Sequence, residues 1–172
     1  MNSNPTPRIY VASLSDYNNG VLHGIWIEAT DADTIQEATD KMLASSPTGG
    51  AEEWAIHDHE GFEGVKVSEF SSFADIAELG AAIEEHGALF TALMGQGVAS
   101  DVSSALEYLE ENYAGAHNSL EDFAYEFHKD SGTELGALSE YIDWEKVGRD
   151  LELGGDVFEI DLDGKTHVFW NR

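Results

Sequence analysis

The chain has 172 residues, 42% of them hydrophobic, with 34 Asp and Glu against eight Lys and Arg, for a formal net charge of −26 and a pI near 4.2. That is enough for one ordinary domain or two to three very small ones, and the apolar fraction predicts a core with no surplus. The charge argues against direct nucleic-acid binding, because phosphates would be repelled and no segment gathers Lys or Arg into a basic patch; a basic partner is the natural complement.

After a polar, Pro-containing leader, Arg8 to Leu14 (RIYVASL) reads as a strand, with Ile9 and Val11 on one face and Tyr10 and Ala12 on the other. Asp16, Asn18, Asn19 and Gly20 supply a turn, and Gly24 to Ala29 (GIWIEA) reads as a second strand. Thr30 or Asp31 can cap a helix from about Asp33 to Ala44, in which Ile35, Ala38, Met42 and the stem of Lys41 recur at helical spacing. Glu53 to Ile56 (EWAI) reads as a third strand, followed by loop through Gly64.

From Ser71 the pattern becomes helical. Phe73, Ile76, Ala77, Leu79, Ala81 and Ile83 are interleaved with Asp75, Glu78, Glu84 and Glu85, Ser71 or Ser72 can cap, and Gly87 should break the helix. The short apolar segment ALFTALMG leads to Gly95 and Gly97, a linker or tight turn. Asp101 opens the clearest helix, striped by Val102, Ala105, Leu106, Leu109 and Tyr113, with Gly115 at its expected C-terminal cap. Ser119 with Asp122 resembles a capping box ahead of Leu120, Phe123, Ala124 and Phe127, and Asp143 can cap a helix through Leu151. The chain closes as a hairpin, Val157 to Leu162 and Lys165 to Trp170, around the type I′ signal Asp163-Gly164.

The expected fold class is α+β, built of small subdomains: an N-terminal sheet with a helix over 1–70, a central helical unit over 71–103, and C-terminal helices with a β-hairpin over 104–172. A single compact core is the alternative, since 17 glycines could equally punctuate one domain. There is no Cys, which removes disulfides, thiolate metal sites and a Cys nucleophile. The opening MNSNPTPRIYVASL has no basic segment followed by a long apolar run, and nowhere do eighteen apolar residues run together, so a cytoplasmic protein is expected.

Glu107, Glu110 and Glu111, with Glu121, Asp122 and Glu126 on the next helix, are spaced to line two solvent faces. One reading is a phosphate-like array; the other is a pair of ordinary solvated faces. Like charges at i and i+4, such as Glu107 and Glu111, are mutually unfavourable, and an ordinary surface intersperses lysines to avoid this. Duplex DNA carries a charge every ~1.7 Å of axis, so 26 charges correspond to about 44 Å of rod, about 13 base pairs.

The remaining constellations are weaker. His57 and His59 would share a strand face but lack a third ligand, so no metal and no cofactor are expected. Asp161 and Asp163 lack the rest of a calcium loop. Gly95-Gln-Gly97 lacks both a third glycine and a P-loop Lys. His117, Ser119 and Asp122 have the residue types of a triad but sit together at a helix start, where Ser and Asp serve as caps, so no catalytic residue is expected. Trp26, Trp54, Trp144 and Trp170, with Tyr10, Tyr17 and Tyr141, read as core or interface anchors, and the segment around Tyr141 and Trp144 is a candidate self-association patch.

Three segments, IYVASLSDYNNGVLHGIWIEA, EEWAIHDHEGF and YIDWEKVGRDLEL, resemble ArdA antirestriction proteins in the same order, covering almost the whole chain. The resemblance is weaker between about Ser71 and Asp130. It implies an elongated homodimer of three-subdomain protomers, joined through their C-terminal units, that mimics bent B-form DNA. It further implies that carboxylates replace phosphates in the DNA groove of a Type I restriction-modification enzyme, at its methyltransferase core, without turnover. The residues expected to carry this are Glu107, Glu110, Glu111, Glu121, Asp122 and Glu126, supported by Glu78, Glu84 and Glu85, with Tyr141 and Trp144 as dimer contacts. The rival readings are a highly acidic protein with no cognate partner and a metal-dependent enzyme using the His and carboxylate clusters. Neither nucleic acid nor membrane is an expected partner.

Overall fold

The computed structural model describes residues 5–172, so the first four residues of the polar leader lie outside the described residues. The fold is α+β, and the chain divides into two compact units between Leu106 and Glu107.

The first unit is built on β1 (Arg8–Ser13), α1 (Leu14–Asn18), β2 (Gly24–Glu28), α2 (Ala32–Ala44), β3 (Trp54–Glu60) and α3 (Phe73–Gly95), and it contains the start of α4 (Val102–Asn112). Its sheet is antiparallel in the order β2-β1-β3, with Ile9 opposite Ile27 and Val11 opposite Ile25. Period-two alternation puts Ile9, Val11 and Ile27 on the face that α2 covers, and all three are buried. Helix α2 starts where the Asp31 carboxylate accepts the Thr34 N–H at 2.7 Å, and it buries Ile35, Thr39 and Met42, one helical stripe. In α3, capped by Ser72, the expected break at Gly87 is a local one: φ is 65° there, and the helix resumes through Gly95. Only a residue without Cβ takes that conformation readily.

Two segments differ from the sequence expectation. The turn foreseen at Asp16 to Asn19 is the short helix α1, capped by Ser13. The third strand, expected to stop at Ile56, runs to Glu60 because Asp58, His59 and Glu60 pair with Tyr10, Ile9 and Arg8, and the Arg8 guanidinium forms an ion pair with Glu60. Long-range pairing thus recruits a polar run that local composition marks as loop.

Asp16 has the most constrained side chain of this unit. It is fully buried, and its Oδ1 accepts from Ser46 Oγ at 2.8 Å and from the Thr48 hydroxyl and N–H, tying α1 to the segment after α2; Oδ2 has no partner among the described residues. Burial pushes this carboxyl up, but hydrogen bonds from Thr48, Ser13 and Ser46 outweigh it and hold the group at about 2. A carboxyl depressed in the fold stabilises it above the unfolded-state value and loses that contribution as pH falls through the folded one. The wild type is therefore expected to lose stability between pH ~4 and ~2, and Asp16→Asn to lack that part of the acid transition; equal acid profiles by circular dichroism would contradict the assignment.

The second unit follows with β4 (Tyr113–His117), α5 (Leu120–Asp130), a 3-10 turn (Gly136–Tyr141), α6 (Trp144–Leu153), β5 (Val157–Leu162) and β6 (Lys165–Trp170). The sheet is antiparallel in the order β4-β6-β5. Phe123 of α5, Val157 and Val168 form its core, with Leu120, Leu151 and Trp170 packed against them. The foreseen hairpin is present, with Asp163 and Gly164 at φ 52° and 73°, the positive values a type I′ turn requires. The C-terminal end of α4 was read differently: the helix stops at Asn112 and the next five residues are β4. Tyr113 stacks on His167, lies 5.1 Å from the Phe169 ring and bonds His167 Nδ1 through its hydroxyl, so packing on β6 captures the segment. Gly115, expected as a helix cap, instead sits at φ 106° where the β4–β6 register shifts.

Candidate partner-binding surface

Helix periodicity decides where the candidate carboxylates point. Glu78 and Glu85 stand on α3 in the first unit on the side opposite Ile76 and Ile83, Glu84 follows the buried Gly80 by one turn, and all three are exposed. In the second unit, Glu107, Glu110 and Glu111 occupy α4 and Glu121, Asp122 and Glu126 occupy α5; all are exposed except Asp122, which is half-buried in the first helical turn. The structure thus gathers six of the nine candidates in one unit and three in the other.

Helix starts keep these faces in register. Asp101 and Ser104 cap reciprocally, Ser104 N–H to Asp101 Oδ1 at 2.8 Å and Asp101 N–H to Ser104 Oγ at 3.3 Å. The Ser104 N–H and hydroxyl hold the Asp101 carboxyl below the usual carboxylate range. Ser119 Oγ accepts the Asp122 N–H at 3.1 Å, and the Asp122 carboxylate takes the Asn118 amide at 3.0 Å. Removal of this cap by Ser119→Ala is expected to cost about 1 kcal/mol, read as a lowered melting temperature; an unchanged one would mean the Ser119 hydroxyl contributes nothing to α5.

Counter-charges are scarce on these faces. Among the described residues, Lys or Arg comes within 4.0 Å of a carboxylate at Arg8–Glu60 and Lys41–Glu37, and neither pair includes a candidate. The candidates' partners are hydroxyl, amide and imidazole groups: Thr6 Oγ1 donates to Glu84 at 3.1 Å, and His86 lies 3.9 Å from Glu85. Glu126 has the closest partner. His117 Nδ1 lies 2.8 Å from Glu126 Oε2 and its Nε2 lies 3.2 Å from the Ala114 carbonyl, with the ring edge-on to Phe123. Sequence spacing did not reveal this pair, because it depends on β4 turning back towards α5.

Most of the other singled-out residues have structural employment. Ser119 caps, Asp122 bonds Asn118 and His117 bonds Glu126, so these three do not form a nucleophilic relay. His57 meets the Tyr17 ring edge-on at 4.8 Å and His59 meets Phe62 at 5.6 Å; among the described residues, no three His, Asp or Glu side chains are placed to hold a metal. Asp161 accepts from Thr166 across the hairpin, and Gly95 ends α3. Trp26 packs on Tyr10 and Trp54 stacks on Phe73, while Trp170 contacts Phe123 and Phe127. Trp144 is half-buried, with its indole N–H on the Ser139 carbonyl and its ring against Tyr125, whereas Tyr141 is 85% exposed beside an exposed Leu138.

One further acidic feature was not foreseen. Burial raises Glu159 on β5, and the neighbouring Glu152 and Asp161 add to the rise. Among the described residues, no helix is long and apolar enough to cross a membrane. Compared with known families, the chain matches the family model described as antirestriction protein (ArdA) over residues 9–163. A search of curated proteins finds no match.

Proposed function

The chain belongs to the ArdA antirestriction family, and on that premise we propose that it inhibits Type I restriction-modification enzymes by occupying their DNA-binding groove as a DNA mimic. The observation that carries this reading is the set of nine carboxylates on α3, α4 and α5, none paired with Lys or Arg among the described residues, in a chain of net charge −26. Each stands where a phosphate would stand for the enzyme's Lys and Arg side chains. The protein acts as a stoichiometric inhibitor, with no catalytic residue and no cofactor, and it works in the cytoplasm, where restriction occurs.

Physical consequences follow for the binding step. Long-range attraction between an acidic inhibitor and a basic groove accelerates encounter and is screened by salt, so k_on responds to ionic strength more than k_off does. Competition for the methyltransferase core extends the block from cleavage to modification. The working form is a homodimer whose protomers divide at about 1–70, 71–103 and 104–172, with Tyr141 and Trp144 at the dimer contact. Exposed Tyr141 and Leu138 supply apolar surface for it.

The test is restriction in cells. Expression of the chain in a host with an active Type I system is expected to raise the plating efficiency of unmodified phage towards that of modified phage. Unchanged restriction in cells that contain the folded protein would refute the proposal.

A further inference from the structure

Sheet edges are templates for foreign strands, and proteins blunt them with charges, bulges or covering segments. Among the described residues, three of the four sheet edges are blunted in this way. The β3 edge is met by a loop, Ile56 N–H bonding the Glu69 carbonyl; β4 is irregular at Gly115; β5 carries Glu159 and Asp161. The β2 edge has neither bulge nor covering segment among the described residues, and its one charge is Glu28 at its end. It reads GIWIE, pairs with β1 without a bulge, and leaves Ile25 and Trp26 each 39% exposed, next to Leu22 at 72%.

The direction of its backbone groups follows from the ladder. Ser13 N–H bonds the His23 carbonyl and Ala29 N–H bonds the Pro7 carbonyl, on the same register that sets Val11 opposite Ile25. Hydrogen-bonded pairs recur at every second residue of an antiparallel ladder, so Ile25 and Ile27 bond β1 while Gly24, Trp26 and Glu28 turn N–H and C=O outward. Among the described residues, no group in Gly24–Glu28 bonds any segment but β1. Beside the edge lies an open groove of about 440 Å³, lined by Ile25, Thr34, Ala38 and Met42, where alternate side chains of an added strand would rest.

We propose that the free edge of β2 binds an extended, basic polypeptide segment as an added strand. Charge selects the occupant: the described residues of the first unit carry 17 Asp and Glu against three Lys and Arg, Glu28 ends the free strand, and Glu37 lines the groove beside its ion-pair partner Lys41. A second copy of the chain would bring the same excess of negative charge to the seam and is disfavoured. This inference does not depend on inhibition of restriction.

Amide exchange of the isotope-labelled full chain tests it, with a short peptide alternating Lys and Val as probe and a Glu–Val peptide as control. The basic peptide is expected to slow exchange at Gly24, Trp26 and Glu28 by about tenfold or more and to leave the β1-bonded Ile25 and Ile27 as internal references. Trp26→Pro removes an outward N–H and no bond to β1, so it should abolish that protection; Glu28→Pro does the same without disturbing the Trp26 ring. No protection, or equal protection by the acidic peptide, overturns the proposal. So does protection that grows with protein concentration alone, which would assign the edge to a second copy.

Discussion

Simultaneous replacement of Glu107, Glu110, Glu111, Glu121, Asp122 and Glu126 by Gln or Asn is expected to weaken inhibition of a Type I enzyme by about 100-fold at low salt. All but Asp122 are exposed, none has a Lys or Arg partner among the described residues, and the helices that carry them are held by caps and apolar stripes that these changes leave in place. Exposed ionic contacts each contribute about twofold to threefold, so the load is shared and single replacements should be nearly silent. The sextuple variant should also lose salt sensitivity, because fewer counterions are displaced per complex. Glu126→Gln alone should do least, since that carboxylate already faces His117. A single replacement that abolishes inhibition, or a folded sextuple variant that inhibits as well as the wild type, would contradict the shared-load picture.

Gly80→Ala is expected to destabilise the first unit by about 3 kcal/mol. A Cβ at Gly80 would lie 1.8 Å from the Ala29 carbonyl oxygen, so α3 must move away from the end of β2, opening the contact between two elements. Alanine elsewhere in a helix is favourable, and Gly95 in the same helix provides the control. Nothing lies within 4 Å of its would-be Cβ, and Gly95→Ala should stabilise by about 0.5 kcal/mol. At a few degrees per kcal/mol for a chain of this size, the two variants should melt on opposite sides of the wild type. Gly80→Ala melting at or above the wild-type temperature would mean that the close approach is not a feature of the fold.

Legibility divides along the range of the interactions that decide each element. Helix starts were readable because their chemistry is local: Asp31, Ser72, Ser119 and Asp143 cap the N–H groups three residues on. The final hairpin was readable for the same reason, since Asp163-Gly164 supplies both positive φ values itself. The α4–β4 boundary was not. Leu109 and Tyr113 continue a helical stripe, and only pairing with β6, far along the chain, turns Tyr113 to Phe169 instead. Likewise His57 to Glu60 form a strand because β1 lies beside them, which no property of those four residues announces.

The candidate surface follows the same rule. Exposure of the carboxylates could be read from amphipathic spacing, since a helix that buries Ile76, Leu79 and Ile83 must turn Glu78 and Glu85 outward. Their partners could not be read. Whether Glu126 stands free or faces His117 depends on a strand the sequence did not reveal, and the buried Asp16, whose residue type suggested only a turn, is a tertiary tie.

The central claim is that this chain occupies a groove built for DNA, and competition measures that directly. Purified protein should displace labelled duplex DNA from a Type I methyltransferase core, more strongly at low than at high salt, while an equally acidic unrelated protein displaces little at either. Failure to displace across the salt range, or equal displacement by the acidic control, would contradict DNA mimicry as the basis of its action.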